Sequence, residues 1–154
     1  MYRDFEDLKA RCPVTLRADV AIDLQHDDPA ALADIWPATT DGAFRLYLVQ
    51  RVSDFWEARI RDTGGAKVPD DGLAVEIEVD SYADGDMGHT LLLDLRIYCG
   101  TAAVGEAAWR ILDDDELEAR FGRELPGQVI DLLGEHVATA GLRVTAQVYE
   151  IEEM

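Results

Sequence analysis

Apolar and polar residues alternate along several stretches of this chain. Over residues 14–24, Val14, Leu16, Ala18, Val20, Ile22 and Leu24 share one parity, and Thr15, Arg17, Asp19, Ala21 and Asp23 share the other. Successive side chains of a strand point to opposite faces, so this spacing predicts a strand buried on one side. Residues 73–80 repeat the pattern, with Leu73, Val75, Ile77 and Val79 set against Ala74, Glu76, Glu78 and Asp80. Leu91, Leu93, Leu95, Ile97 and Cys99 continue it after a turn over 81–88, which predicts an antiparallel hairpin. A last strand is predicted over 142–148, followed by the acidic tail Glu150, Ile151, Glu152 and Glu153. Residues 44–60 also carry apolar side chains at even positions (Phe44, Leu46, Leu48, Val52, Trp56, Ala58, Ile60). They predict one long bent strand or a two-stranded hairpin, with a helix over 53–61 as the competing reading.

Helix signals fall between these runs. Residues 2–10 form a short helix with Phe5 and Leu8 on one side, and Asp28-Pro29 marks a helix start. Asp28 accepts from free amides there, while Pro29 lacks the amide that would be orphaned. Pro37 ends that helix. Residues 62–72 read as a loop, and 101–112 fit either a strand or a helix. Asp113 and Glu116 have the spacing of a capping box, with Glu116 and Arg120 as an i,i+4 pair. Gly122 reads as the stop of that helix and Pro126 as the start of the next, whose apolar face is Val129, Leu132, Leu133 and Val137, with Gly141 as its cap. The sum is an α+β fold in a single domain, residues 1–154. It has an antiparallel sheet of about five or six strands with two or three helices packed on one face.

Charge narrows the partners. The chain of 154 residues holds 32 Asp and Glu against 14 Lys and Arg, a formal net charge of −18. Such a surface repels phosphate backbones and anionic headgroups, so nucleic acid and membrane are not its direct partners. The partner expected is another protein. Lys9 and Lys67 are the only lysines, and arginine-rich, lysine-poor acidity also fits a salt-rich cytoplasm, where screening relieves self-repulsion. The N-terminus has no basic and apolar leader and no apolar run is long enough to span a bilayer, so the expected location is cytoplasmic.

Motifs that carry chemistry are absent. Ser53 and Ser81 are the only serines, and neither sits in a nucleophile elbow. Gly64-Gly65 lacks the Lys-Ser/Thr ending of a phosphate loop. Asp80, Asp84 and Asp86 look like the start of a calcium loop, but Leu91 stands where that loop needs its glutamate. His26, His89 and His136 are far apart, and none pairs with another at helical ligand spacing. Cys12 and Cys99 each neighbour a strand and read as small buried hydrophobes. The expectation is therefore a non-catalytic protein with no cofactor and no metal.

The C-terminal half resembles the SecB-like export chaperones. Residues 91–111, followed by Asp115-Glu116-Leu117-Glu118-Ala119, are similar to the end of that family's sheet and its acidic link to a long helix. Gly134-Glu135-His136-Val137 falls where the family has Arg-Glu-x-Val. Where the family carries Tyr-Pro-Tyr-x-Arg, this chain has Ile130-Asp131-Leu132-Leu133-Gly134. The resemblance implies an oligomeric, protein-binding chaperone that holds unfolded clients.

Two binding readings follow. In the chaperone-like one, clients meet aromatic residues on or near strands, with Tyr47, Phe55, Trp56 and Tyr98 as candidates. In the other, the chain is an acidic inhibitor or immunity-type protein that blocks a basic nuclease, toxin or nucleic-acid-binding partner by charge mimicry, through Asp84, Asp86, Glu152 and Glu153.

Overall fold

The computed structural model describes residues 2–83 and 88–154. The order of elements is α1 (Phe5–Arg11), β1 (Val14–Gln25), α2 (Pro29–Ile35), a 3-10 turn (Trp36–Thr40), α3 (Gly42–Gly64), β2 (Leu73–Ala83), β3 (Gly88–Cys99), α4 (Ala102–Leu112), α5 (Asp115–Gly134) and β4 (Arg143–Glu153). The strands form one antiparallel sheet in the order β2-β3-β1-β4. Leaving α1 aside, this is the split βαβ arrangement, two strand–helix–strand halves interleaved in a single sheet.

The alternation in β1 and β3 sets the layers. Leu16, Ala18, Val20, Ile22 and Leu24 share a side with Leu91, Leu93, Leu95, Ile97 and Cys99, and all are buried under the helices. The sheet has four strands rather than five or six, because residues 44–60 are helical. Phe44, Leu48, Val52, Trp56 and Ile60 are the buried positions of α3. A spacing of four fits one helix face as well as one strand face. Leu46 and Ala58 supplied the extra even positions, and both are exposed, Leu46 by 57%. The same ambiguity resolves to helix in α4, where Val104, Ala107, Ala108 and Ile111 are buried and Trp109 faces out.

Pro126 lies inside α5 instead of opening a second helix. Its missing amide would have bonded to the carbonyl of Gly122, so the helix continues with one bond fewer. Gly122 does not stop the helix. A Cβ there would lie 3.0 Å from the Ala146 carbonyl oxygen, and its absence lets α5 settle against β4. The cap of α5 is Asp114, one residue past the expected Asp113, and its side chain accepts from the amides of Glu116 and Leu117. Arg120 pairs forward with Glu124 at 2.9 Å, not back with Glu116. Residues 135–137 lie beyond the helix end, and Gly141 turns the chain into β4 with φ +82°. The expected start at Asp28 holds: its carboxylate accepts from the Ala30 amide at 3.0 Å.

Trp56 is the largest fully buried side chain. Its ring lies 4.9 Å from Phe55 and 5.2 Å from Phe121, tying α3 to α5. Two arginines of α3 fasten the β2 edge: Arg45 donates to the Thr39 and Val79 carbonyls and to Ser81, and Arg61 donates to the Leu73 carbonyl.

One irregularity breaks the alternation. Glu150 has φ +55°, and between Arg17 and Asp19 the β1–β4 register shifts by a bulge. The strand therefore runs on through the expected acidic tail to Glu153, with reversed parity.

Trp56→Ala should lower unfolding free energy by about 3–5 kcal/mol in urea denaturation. Trp56→Phe should cost much less, since it keeps an aromatic ring in the core and removes an indole N–H that has no acceptor among the described residues.

Candidate functional site

The side of the sheet away from α3, α4 and α5 carries the polar parity of every strand. Cross-strand register arranges it in rows. One row is Glu76, Arg96, Arg17 and Glu152. The next is Glu78, Asp94, Asp19 and Tyr149, and beyond it lie Asp80, Leu92, Ala21 and Gln147. Like charges thus stand directly opposite one another at Glu78–Asp94, Asp94–Asp19 and Arg96–Arg17, which is unfavourable for pairing. Ion pairs along and across the strands relieve part of this. Arg17 Nε donates to Asp94 Oδ1 at 3.1 Å and reaches Asp19 at 3.8 Å and Glu152 at 3.6 Å, while Arg96 reaches Asp94 at 3.3 Å. The hydrogen bond to Asp94 raises the pKa of both guanidinium groups. Burial, then the charge of Asp19, raises that of Tyr149. Glu78 and Asp80 have no ion-pair partner among the described residues.

At one end α1 lies across this side. Lys9 Nζ donates to Glu76 at 2.7 Å, the Tyr98 hydroxyl donates to the other oxygen of Glu76 at 3.1 Å, and Phe5 meets the Tyr98 ring edge-on. The Lys9 hydrogen bond, against some opposing burial, holds the Glu76 carboxyl below the ordinary carboxylate range. Burial first, then the charge of Glu76, pushes the Tyr98 hydroxyl up.

The structure does not bring the candidate residues together. Tyr47 is exposed on α3. Phe55 is half-buried against Phe121, and Trp56 lies wholly in the core. Tyr98 is 5% exposed beneath α1. Glu152 joins the charged rows, whereas Glu153 lies across the sheet from them, sharing its side with Leu16. Asp84 and Asp86 fall outside the described residues. Sequence reasoning missed Asp19, Asp94 and Glu78 as neighbours. Each was visible as the polar half of an alternating strand, but their juxtaposition needed the strand order.

His26 is tied down structurally, accepting from the Asp28 amide and meeting the Ala140 carbonyl at 2.9 Å. Among the described residues, no cluster of His, Cys, Asp and Glu is arranged to hold a metal, and no helix is long and apolar enough to cross a membrane. Cys99 is fully buried, and burial pushes its thiol up to about 12. Cys12 is half-buried.

No protein-family model matches the chain, and a search of curated protein sequences finds no relative. Among solved structures, it is similar to a candidate aminohydrolase from methicillin-resistant Staphylococcus aureus at 12% identity and TM-score 0.32, over 90% of this chain and 30% of that one. It is similar to a candidate amidohydrolase/peptidase from Burkholderia cenocepacia at 20% identity and TM-score 0.31, over 88% and 27%. A dimeric ferredoxin-like protein from an uncultured marine organism matches at 11% identity and TM-score 0.26, over 88% and 94%. This chain spans less than a third of the first two. Likenesses this weak carry no inference about activity.

The depressed pKa of Glu76 has a sign that can be checked. Its contribution to stability is present above the ordinary carboxylate pKa and lost as pH falls through the lowered folded-state value. Glu76→Gln should therefore destabilise at about pH 7 and match the parent near about pH 2, as read by urea unfolding. In a separate measurement, a thiol reagent at neutral pH should label Cys12 in the folded protein and Cys99 only in denaturant.

Proposed function

We propose that this chain is a non-catalytic protein-binding module whose acidic sheet side receives a basic protein partner. The observation that carries the reading is the row Glu78, Asp94 and Asp19. Three carboxylates stand opposite one another on adjacent strands, an arrangement that opposes folding and favours an incoming cation. Four other acids (Asp4, Asp28, Asp41 and Asp114) have an evident structural task as helix caps. Glu78 and Asp80 have none, and a partner's Lys or Arg would give them one.

The chaperone-like reading draws on apolar strand surface offered to clients. In this chain the apolar sides of β1 and β3 are covered by its own helices. The acidic inhibitor or immunity-type reading therefore stands first, and it is silent on oligomeric state.

The test compares two variants of equal charge change. Glu78→Gln/Asp80→Asn alters the sheet side, and Asp34→Asn/Asp131→Asn alters exposed acids on α2 and α5. Binding of a fluorescent octa-arginine peptide, followed by anisotropy at about 0.15 M salt, should weaken at least about fivefold more in the first variant. Equal losses in both would reduce the charge to a non-specific field, as a salt-adapted surface would produce.

A further inference from the structure

Across the sheet from the charged rows lies a second surface, where α4 packs on β1 and β3 beside the end of β4. A groove of about 570 Å³ opens there, floored by Val14 and Leu16 and walled by α4. The close approach depends on Gly105, since a Cβ at that position would lie 2.9 Å from Val14 Cγ1. Trp109 forms one side of the groove and is 41% exposed, although its helix neighbours Ala108 and Ile111 are buried.

Three carboxylates rim this apolar floor. Glu106 and Asp113 lie two turns apart on the α4 face that carries Trp109. Asp113 also ends that helix, where the macrodipole is negative. The third, Glu153, comes from β4, and the bulge at Glu150 puts it there. In unbroken register Glu152 would oppose Leu16 and Glu153 would turn to the charged rows. The extra residue reverses this, so Glu153 pairs with Leu16 and lines the groove. Arg110 is the single cation lining it. Glu106, Asp113, Glu153 and Arg110 form no ion pair among the described residues, so the groove keeps an excess of unsatisfied negative charge beside an indole face.

We infer that this groove is a socket for one arginine side chain of a basic protein partner. The inference rests on the proposed function for its basic partner and places a second contact for that partner past the β4 edge, on the opposite side of the sheet. A planar guanidinium stacks on an indole and donates in its own plane to carboxylates at the rim, while its methylene stem lies along Val14 and Leu16. An ammonium group has no flat face to stack, so lysine should bind less well. A neutral ligand of the same shape leaves the carboxylates unsatisfied.

The experiment is an amide NMR titration with Nα-acetyl-arginine amide, with the lysine and citrulline analogues as controls. The expected result is shifts confined to Val14, Leu16, residues 102–113, Glu153 and the Trp109 indole. Lysine should bind at least about threefold more weakly, and citrulline should not bind. Trp109→Leu and Glu153→Gln alter exposed side chains and should keep the thermal unfolding midpoint while weakening arginine binding at least about fivefold. Shifts that fall on Glu78, Asp80 and Asp94 instead would overturn the socket and leave the basic-partner reading intact. Equal binding of citrulline would overturn the charge argument. If neither arginine amide nor octa-arginine binds at about 0.05 M salt, the socket and the proposed function fall together.

Discussion

The contact between Trp56 and Phe121 is the one on which the layering depends. It joins α3, on the crossover from β1 to β2, to α5, the helix before β4, and β1 and β4 are neighbours in the sheet. With the helices held together, Leu16, Val20, Ile22 and their partners on β3 gain a continuous apolar cover. All the helical cover of the core is then spent on one side of the sheet. Only the short α1 remains for the other side, and it reaches no further than Tyr98 and Glu76. The sheet therefore keeps a polar side that has to satisfy itself. It does so with Arg17, Arg96 and Lys9, too few cations for the carboxylates around them.

This division explains why the acidity is uneven in its consequences. Acids at helix starts are absorbed by free amides, and Glu57 and Glu124 are absorbed by arginines one turn away. Such groups contribute charge but little directional demand. The carboxylates of the central strands differ, because the rigid sheet holds them opposite one another and they cannot swing apart as loop residues do. A charged partner therefore meets a fixed pattern there.

Much of the fold was legible in the sequence. β1, β2 and β3 announced themselves by strict alternation, and Asp28-Pro29 named a helix start that the structure keeps. The failures share one cause: local spacing is blind to which neighbour will cover a residue. Phe44, Leu48, Val52, Trp56 and Ile60 recur every four residues, a spacing that a strand and a helix satisfy equally. Exposed Leu46 then tipped that pattern toward strand, and exposed Trp109 left residues 101–112 open between strand and helix. Gly122 and Pro126 read as punctuation because each usually breaks a helix, but here the glycine admits β4 and the helix tolerates the proline. For the site, the polar parity was visible but not the strand order, so Asp19 and Asp94 could not be placed side by side. Glu152 and Glu153 read as one acidic tail, whereas the structure sends them to opposite sides of the sheet.

That separation turns on a single backbone residue with positive φ. Point substitutions at Glu152 or Glu153 change how much charge each surface bears, but they cannot exchange the two. Loss of one residue from the bulge would leave both where they are, but straightening it with every residue kept would exchange them. Straightening would draw Glu153 over to the Arg17 side, carry Glu152 to the rim beside Trp109, and turn Ile151 away from the core. The end of β4 thus works as a selector set by backbone conformation. Among chains built on this plan, a residue at position 150 that rejects positive φ would be a larger functional event than several exchanged acids.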